Sequence, residues 1–219
     1  MTALKERPRR AGAWQLGILI GVSAMLLAAC GRSSIGSSDN LGGDQNYVSS
    51  DGSVTLRDPA SRQMAPSISG TTLKGDTWSI DDKRGRIIVF NVWASWCAPC
   101  RAEAPILKKV SEQYSASGVD FVGLNIRDSN VTAIAFEDTF NINYPSLVDT
   151  SSELVLRFAG DLNPSAIPST LLVDQEGRVA ASILGPVTKS MLTGLIEALI
   201  EEEASSRTYR SPSAPPESN

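Results

Sequence analysis

One local pattern restricts this chain more than any other: Trp96-Cys97-Ala98-Pro99-Cys100, set just after the run Arg-Ile-Ile-Val-Phe-Asn-Val-Trp at residues 86–93. That near-continuous apolar run is of the kind buried on both faces in the centre of a parallel sheet. From residue 99 to 114, Ala102, Ile106, Val110 and Tyr114 recur at helical spacing, with Pro105 expected to kink the helix. A Cys-x-x-Cys between a buried strand and a helix has the setting of a redox pair. The helix N-terminus presents unpaired N–H groups and a partial positive charge, and both favour thiolate over thiol at Cys97. Cys97, at the end of the turn, is expected to be the accessible nucleophile. Cys100, one helical turn further in, is expected to be shielded and placed to attack the sulfur of Cys97.

The remaining composition removes competing chemistries. The chain has no histidine, which excludes His-based triads, HExxH zinc sites and haem attachment through CxxCH. Its three cysteines are Cys30, Cys97 and Cys100. A zinc site needs about four ligands, and there is neither a second cysteine pair nor a histidine to complete one. No metal and no cofactor is implied. A net charge of −4 and a pI near 5.0 argue against nucleic acid as a partner, since phosphate binding needs a basic face.

The first thirty residues read as a targeting segment. Lys5, Arg7, Arg9 and Arg10 precede an apolar run over residues 11–29, which ends in Leu27-Ala28-Ala29-Cys30. Small residues before a cysteine in this setting resemble a bacterial lipobox, which implies cleavage before Cys30 and lipidation of its thiol. An uncleaved membrane helix or an ordinary signal peptide are the alternatives. Each route leads out of the cytoplasm, where disulfide chemistry is relevant. Removal of residues 1–29 takes away four basic residues and one acidic one, so the charge goes from −4 to −7. So acidic a chain has no electrostatic affinity for anionic lipid, and its membrane attachment would be the lipid itself.

Residues 30–65 are dominated by Gly, Ser, Asn and Asp and read as a flexible linker, and residues 204–219 as a disordered tail. One domain is left, over 66–203. Within it, 67–73 and 77–80 flank Lys74-Gly75-Asp76 as a hairpin. Further strands are expected at 119–126, 145–148, 170–173 and 179–184. Helices are expected at 131–140 with Asn130 as N-cap, at 152–158 capped by Ser151 or Ser152, and at 188–203. A parallel core entered by strand–helix–strand and finished by a hairpin and a helix is a three-layer α/β sandwich.

The segment from Phe90 to Cys100, with Pro105 after it and Ile167-Pro168 much later, resembles the active-site segment of the thioredoxin fold. The wider chain, over about 66–203, resembles the TlpA/ResA-type extracytoplasmic thiol–disulfide oxidoreductases. The extra helix and strand near 127–150 resemble the central α/β insertion of that group. Plain thioredoxins carry a buried Asp where this chain has Asn91, which cannot act as a base. The resemblance implies that Glu103, on the active-site helix, supplies the acid instead. A solvated helix glutamate paired with Arg101 or Lys108 is the alternative.

The resemblance further implies a cis peptide bond at Ile167-Pro168, with the Ile167 backbone offered to an extended client. Trp96, Pro99, Ile167 and Pro168 would then contact clients, Trp96 from the rim, while Trp93 lies in the core. The expected activity is protein disulfide reduction through a Cys97/Cys100 cycle on exported proteins, apocytochrome c among them. A membrane electron donor of the thiol-reducing type would restore the dithiol, at the extracytoplasmic face of a bacterial membrane to which the chain is lipid-anchored. A disulfide-forming oxidase, or a non-enzymatic module for thiols or Cu(I), are the alternatives.

Overall fold

The computed structural model describes residues 47–48 and 54–210, with side chains over 54–206. The signal segment, Cys30 and most of the expected linker lie outside the described residues. Nine strands and four α-helices follow in chain order among the described residues: β1 Tyr47–Val48, β2 Val54–Leu56, β3 Ser69–Thr71, β4 Thr77–Ser79, β5 Ile87–Trp93, α1 Ala98–Tyr114, β6 Val119–Ile126, α2 Asn130–Phe140, β7 Ser146–Asp149, α3 Glu153–Arg157, β8 Ser169–Val173, β9 Val179–Leu184 and α4 Lys189–Arg210. Seven strands form one sheet in the order β1-β2-β9-β8-β5-β6-β7, and β3 and β4 form a separate antiparallel pair. β5, β6 and β7 run parallel, while β8 is antiparallel to both β5 and β9.

β5 is buried along its whole length, as its apolar run predicts. Its side chains alternate between two cores. Ile87 and Val89 pack with Leu107 and Val110 of α1 and Leu192 and Ile196 of α4. Ile88, Phe90 and Val92 face the other way, against Ile68 and Trp78 of the hairpin region and Val155 and Phe158 at α3. The expected three layers are present, although one outer layer is a hairpin and a one-turn helix rather than two long helices. The insertion supplies α2 and β7, and Phe136 of α2 stacks on Trp93 with ring centroids 4.3 Å apart. Gly123 of β6 permits that packing. A Cβ there would lie 2.2 Å from Ser146 Oγ and 2.6 Å from Trp93 Nε1, so a side chain does not fit.

Two helix caps differ from the sequence expectation. Ser129, not Asn130, caps α2, its hydroxyl accepting from Thr132 N–H at 3.2 Å. Ser152 sits at the start of α3 without a side-chain cap bond. The Asp149 carboxylate takes that role, accepting from the N–H groups of Leu154 and Val155, both at 3.0 Å. Asp at the end of a strand reaches the free N–H groups of the next helix as well as an N-cap residue does.

Both domain limits also need correction. Part of the expected linker belongs to the fold: β2 pairs with β9, Val54 opposite Ile183, and Val54 enters the α1/α4 core. Arg62 is buried, and donates to Asp174 at 3.1 Å and through both Nη atoms to Glu202 at 2.9 and 2.8 Å. Glu202 lies on α4, which runs on to Arg210 through the first part of the expected tail. Local composition misses both limits because the stabilising partners are more than a hundred residues away. Arg62→Ala should lower the unfolding free energy by roughly 2 kcal/mol, because it removes charge-assisted hydrogen bonds to Asp174 and Glu202, while Asp174 keeps its contact with Arg178. Urea titration of the protein tests this; a loss below about 0.5 kcal/mol would put the ion pairs in the class of surface bridges.

Candidate active site

The cysteine pair lies where β5 ends and α1 begins, so strand burial and helix capping together fix its position. Cys97 is the N-cap of α1, and its sulfur accepts from Cys100 N–H at 3.2 Å. Ala98 and Pro99 open the helix, and proline there loses no intrahelical bond because the first N–H groups have no partner. The two sulfurs are joined at 2.06 Å with Cα atoms 5.3 Å apart. In this disulfide form the expected difference in access is absent: Cys97 is 4% exposed and Cys100 2%. Both belong to an apolar cluster with Trp93, Ala104 and Phe136, and Ile167 packs against it. Ala98, Pro99 and Trp96 are exposed around the buried pair.

Ile167-Pro168 is the cis peptide bond among the described residues. It directly precedes β8, whose Ser169 pairs with Val92 of β5, so the loop ends beside the cysteines. Gly185 N–H occupies the Pro168 carbonyl at 2.9 Å. No hydrogen bond among the described residues engages the backbone of Ile167. Pro164 is trans and serves differently, its carbonyl accepting from Arg127 Nη2 at 2.6 Å.

Glu103 is 2% exposed, which removes the solvated-helix alternative. Lys108 pairs instead with Glu112, and Arg101 lies over the Phe140 ring. One Glu103 oxygen accepts from Asn91 Nδ2 at 2.7 Å, the other from Val187 N–H at 2.9 Å. Burial pushes the Glu103 carboxyl up to about 7, against the opposing pull of these two hydrogen bonds. Asn91 on the central strand thus holds the Glu103 carboxyl of the helix. A small cavity behind Cys100, lined by Asn91, Trp93, Cys100, Ala104 and Phe136 among others, has room for one water-sized sphere, about 10 Å³.

Trp96 is 56% exposed on the rim, and Trp93 is in the core with its Nε1 donating to Ser146 Oγ at 3.3 Å. Sequence reading passed over the segment that holds this rim. Asp128 accepts from Ser95 N–H at 2.6 Å, Ser95 Oγ at 2.9 Å and Thr132 Oγ1 at 2.6 Å. Burial acts to raise its carboxyl, but these bonds and one from Asn125 outweigh that and hold it below the usual range. The signal was available: an Asp-Ser pair one residue beyond a buried strand and before a helix marks polar groups at the strand's carboxyl end. The groups around the cysteines thus come from the end of β5, the loop before β8, α1, and Ala133 and Phe136 of α2.

The family described as Redoxin matches residues 60–199. The thiol-disulfide oxidoreductase ResA of Bacillus cereus is 26% identical over 133 residues, covering 61% of this chain and 75% of the relative. Among solved structures, a secreted thiol-disulfide isomerase from Corynebacterium glutamicum is 31% identical with a TM-score of 0.66, over 73% of this chain and 99% of its own. A DsbF homologue from Corynebacterium diphtheriae is 33% identical with a TM-score of 0.65, over 72% of this chain and all of its own. With a thioredoxin-like fold, a Cys97–Cys100 pair at its helix N-terminus and these relatives, the chain belongs to the redoxin family as a TlpA/ResA-type thiol–disulfide oxidoreductase.

Proposed function

We propose that the protein reduces disulfides of exported proteins, with Cys97 as nucleophile, Cys100 as resolving thiol and Glu103 as the acid–base group. The observation that carries this reading is the buried Glu103 carboxyl, one helical turn from Cys100 in a chain with no histidine. The Cys97 thiolate attacks one sulfur of a client disulfide and releases the other as a client thiolate. Cys100 then loses its proton and attacks Cys97 Sγ. This forms the Cys97–Cys100 bond and releases the second client thiolate. Both client thiolates take up protons, and the client has gained two electrons. A membrane donor of the thiol-reducing type returns those electrons to the pair.

Glu103 suits the proton step because a carboxyl near 7 is present in both forms at neutral pH. The same group supports the reducing direction. The only hydrogen bond to either sulfur among the described residues comes from a backbone N–H, and a nearby buried carboxyl opposes a second negative charge. The helix N-terminus favours a thiolate at Cys97, but burial and the carboxyl oppose one at Cys100, and a dithiol whose second thiolate is poorly stabilised is the better reductant. The exposed Trp96 and Pro99, with Ile167 and Pro168 opposite, form the client edge, where the Ile167 backbone is open to an extended strand. Cys30 carries the lipid that fixes the protein to the extracytoplasmic face, and apocytochrome c is one client class.

Cys100→Ser should accumulate clients as mixed disulfides on Cys97, and Cys97→Ser few or none; equal trapping by both would overturn the division of roles. On the wild type, a midpoint potential near −270 mV supports reduction, and one near −120 mV would make the protein an oxidant.

Glu103→Gln should slow the resolving step by at least about tenfold and alter the pH dependence of both thiol titrations. Stability should respond with a definite sign. The folded carboxyl titrates near 7 and an ordinary glutamate near 4.5, so the folded state holds a proton that the unfolded chain has released. Wild-type stability therefore falls as pH rises through that window, and the variant gains on it by at most ~3 kcal/mol. Thiol titrations and denaturation curves identical to wild type at every pH would remove Glu103 from the mechanism.

Cys30→Ala should move the processed protein from the membrane to the soluble exported fraction. Membrane association that survives this change and carbonate extraction would point to an uncleaved helix.

A further inference from the structure

One residue outside the cysteine pair holds both edges of the site. Arg127, directly after β6, has a φ of 49°, a left-handed backbone that an arginine seldom adopts. Its carbonyl accepts from Trp96 Nε1 at 3.0 Å. Its guanidinium lies 5.4 Å from the centroid of the Trp96 ring, within cation–π range. The same guanidinium donates through Nη2 to the Pro164 carbonyl at 2.6 Å, four residues before the cis-proline. Asp128, the next residue, fixes Ser95 from below. Glycine would meet the backbone demand of position 127 at lower cost, so the turn by itself does not account for an arginine there.

We propose that Arg127 is a positioning residue for client docking: it sets the spacing between Trp96 and the 163–168 loop, so that an extended polypeptide meets a groove already shaped. This rests on the reading that Trp96 and Ile167 form the client edge. The physical gain is preorganisation. An exposed indole and a surface loop held in the bound arrangement lose less freedom when a client strand arrives. Three properties of arginine are used together, the planar face on the indole, the outer N–H on a carbonyl and the charge, and lysine reproduces only the charge.

The test uses the full-length protein in detergent, reduced at Cys97/Cys100 and mixed with insulin as a disulfide-bonded polypeptide. Oxidation of the cysteine pair is followed against insulin concentration. Arg127→Gly, which relieves the backbone, and Arg127→Lys, which keeps the charge, should each raise the half-saturating insulin concentration about fivefold, with the limiting rate within about twofold of wild type. Trp96→Ala should raise it similarly, and Arg127→Gly added to Trp96→Ala should add less than about twofold, since the two act together. A wild-type value in Arg127→Lys would reduce the role to charge and overturn the proposal. So would an unchanged value in Arg127→Gly while Trp96→Ala raises it, which leaves the client edge standing. If neither Arg127→Gly nor Trp96→Ala moves it, the client edge itself lies elsewhere and the proposal falls with it.

Discussion

The hydrogen bonds to Glu103 tie the active-site helix to the central strand and to the loop before the last helix. Its carboxylate spans from Asn91 on the central strand to Val187 on the approach to the last helix, while its own backbone belongs to the active-site helix. A buried carboxyl without such partners would be driven to the neutral form and destabilise its surroundings. With them it remains titratable near neutral pH, within one helical turn of a buried thiol. Asn91 is what makes this workable. An Asp at that strand position would place a second carboxyl against Glu103, and like charges so close cannot both ionise. The Asn91 amide and the Glu103 carboxyl therefore form one hydrogen-bonded unit whose ionisable group sits on the helix.

What the sequence made legible follows the range of the forces involved. β5 and β6 were readable almost to the residue, because strands buried on both faces announce themselves as apolar runs. The position of Cys97 at a helix N-terminus was equally plain, since strand, turn and helix adjoin in sequence. Val54–Leu56 was not, because a three-residue strand in a polar stretch gains its stability from β9 and from Arg62. The helical stretch after residue 203 is likewise anchored from a distance, by Glu202 on Arg62. The caps at Ser129 and Asp149 were missed by one residue and by two or three, where Asp, Ser and Asn compete and only geometry decides among them.

The buried state of both sulfurs changes how access to the pair is understood. Proximity to the turn leads one to expect an open Cys97, yet the apolar cluster around Trp93 and Phe136 closes over the disulfide, with Ile167 against it. An oxidised pair sheltered in this way presents little surface to bulk thiols. Its neighbours Trp96, Ala98 and Pro99 are exposed, so a partner first meets the rim and only then the sulfur. Selectivity in such a site resides in what surrounds the reacting atom.

Electrostatics divides the two cysteines along the same helix. At its N-terminus, Cys97 receives a backbone N–H and the positive end of the helix dipole, which lower the cost of a thiolate in a fixed, pH-independent way. Cys100 and Glu103, one turn on, lie where the dipole's help fades and burial dominates. There a charge is costly, and a proton tends to stay in the site. In the proposed cycle, the first attack would need a thiolate ready before the client arrives, and the second would need one only after the mixed disulfide had formed. A helix that favours charge at its tip and protonation one turn inward meets both requirements with a single strand–turn–helix, without a histidine.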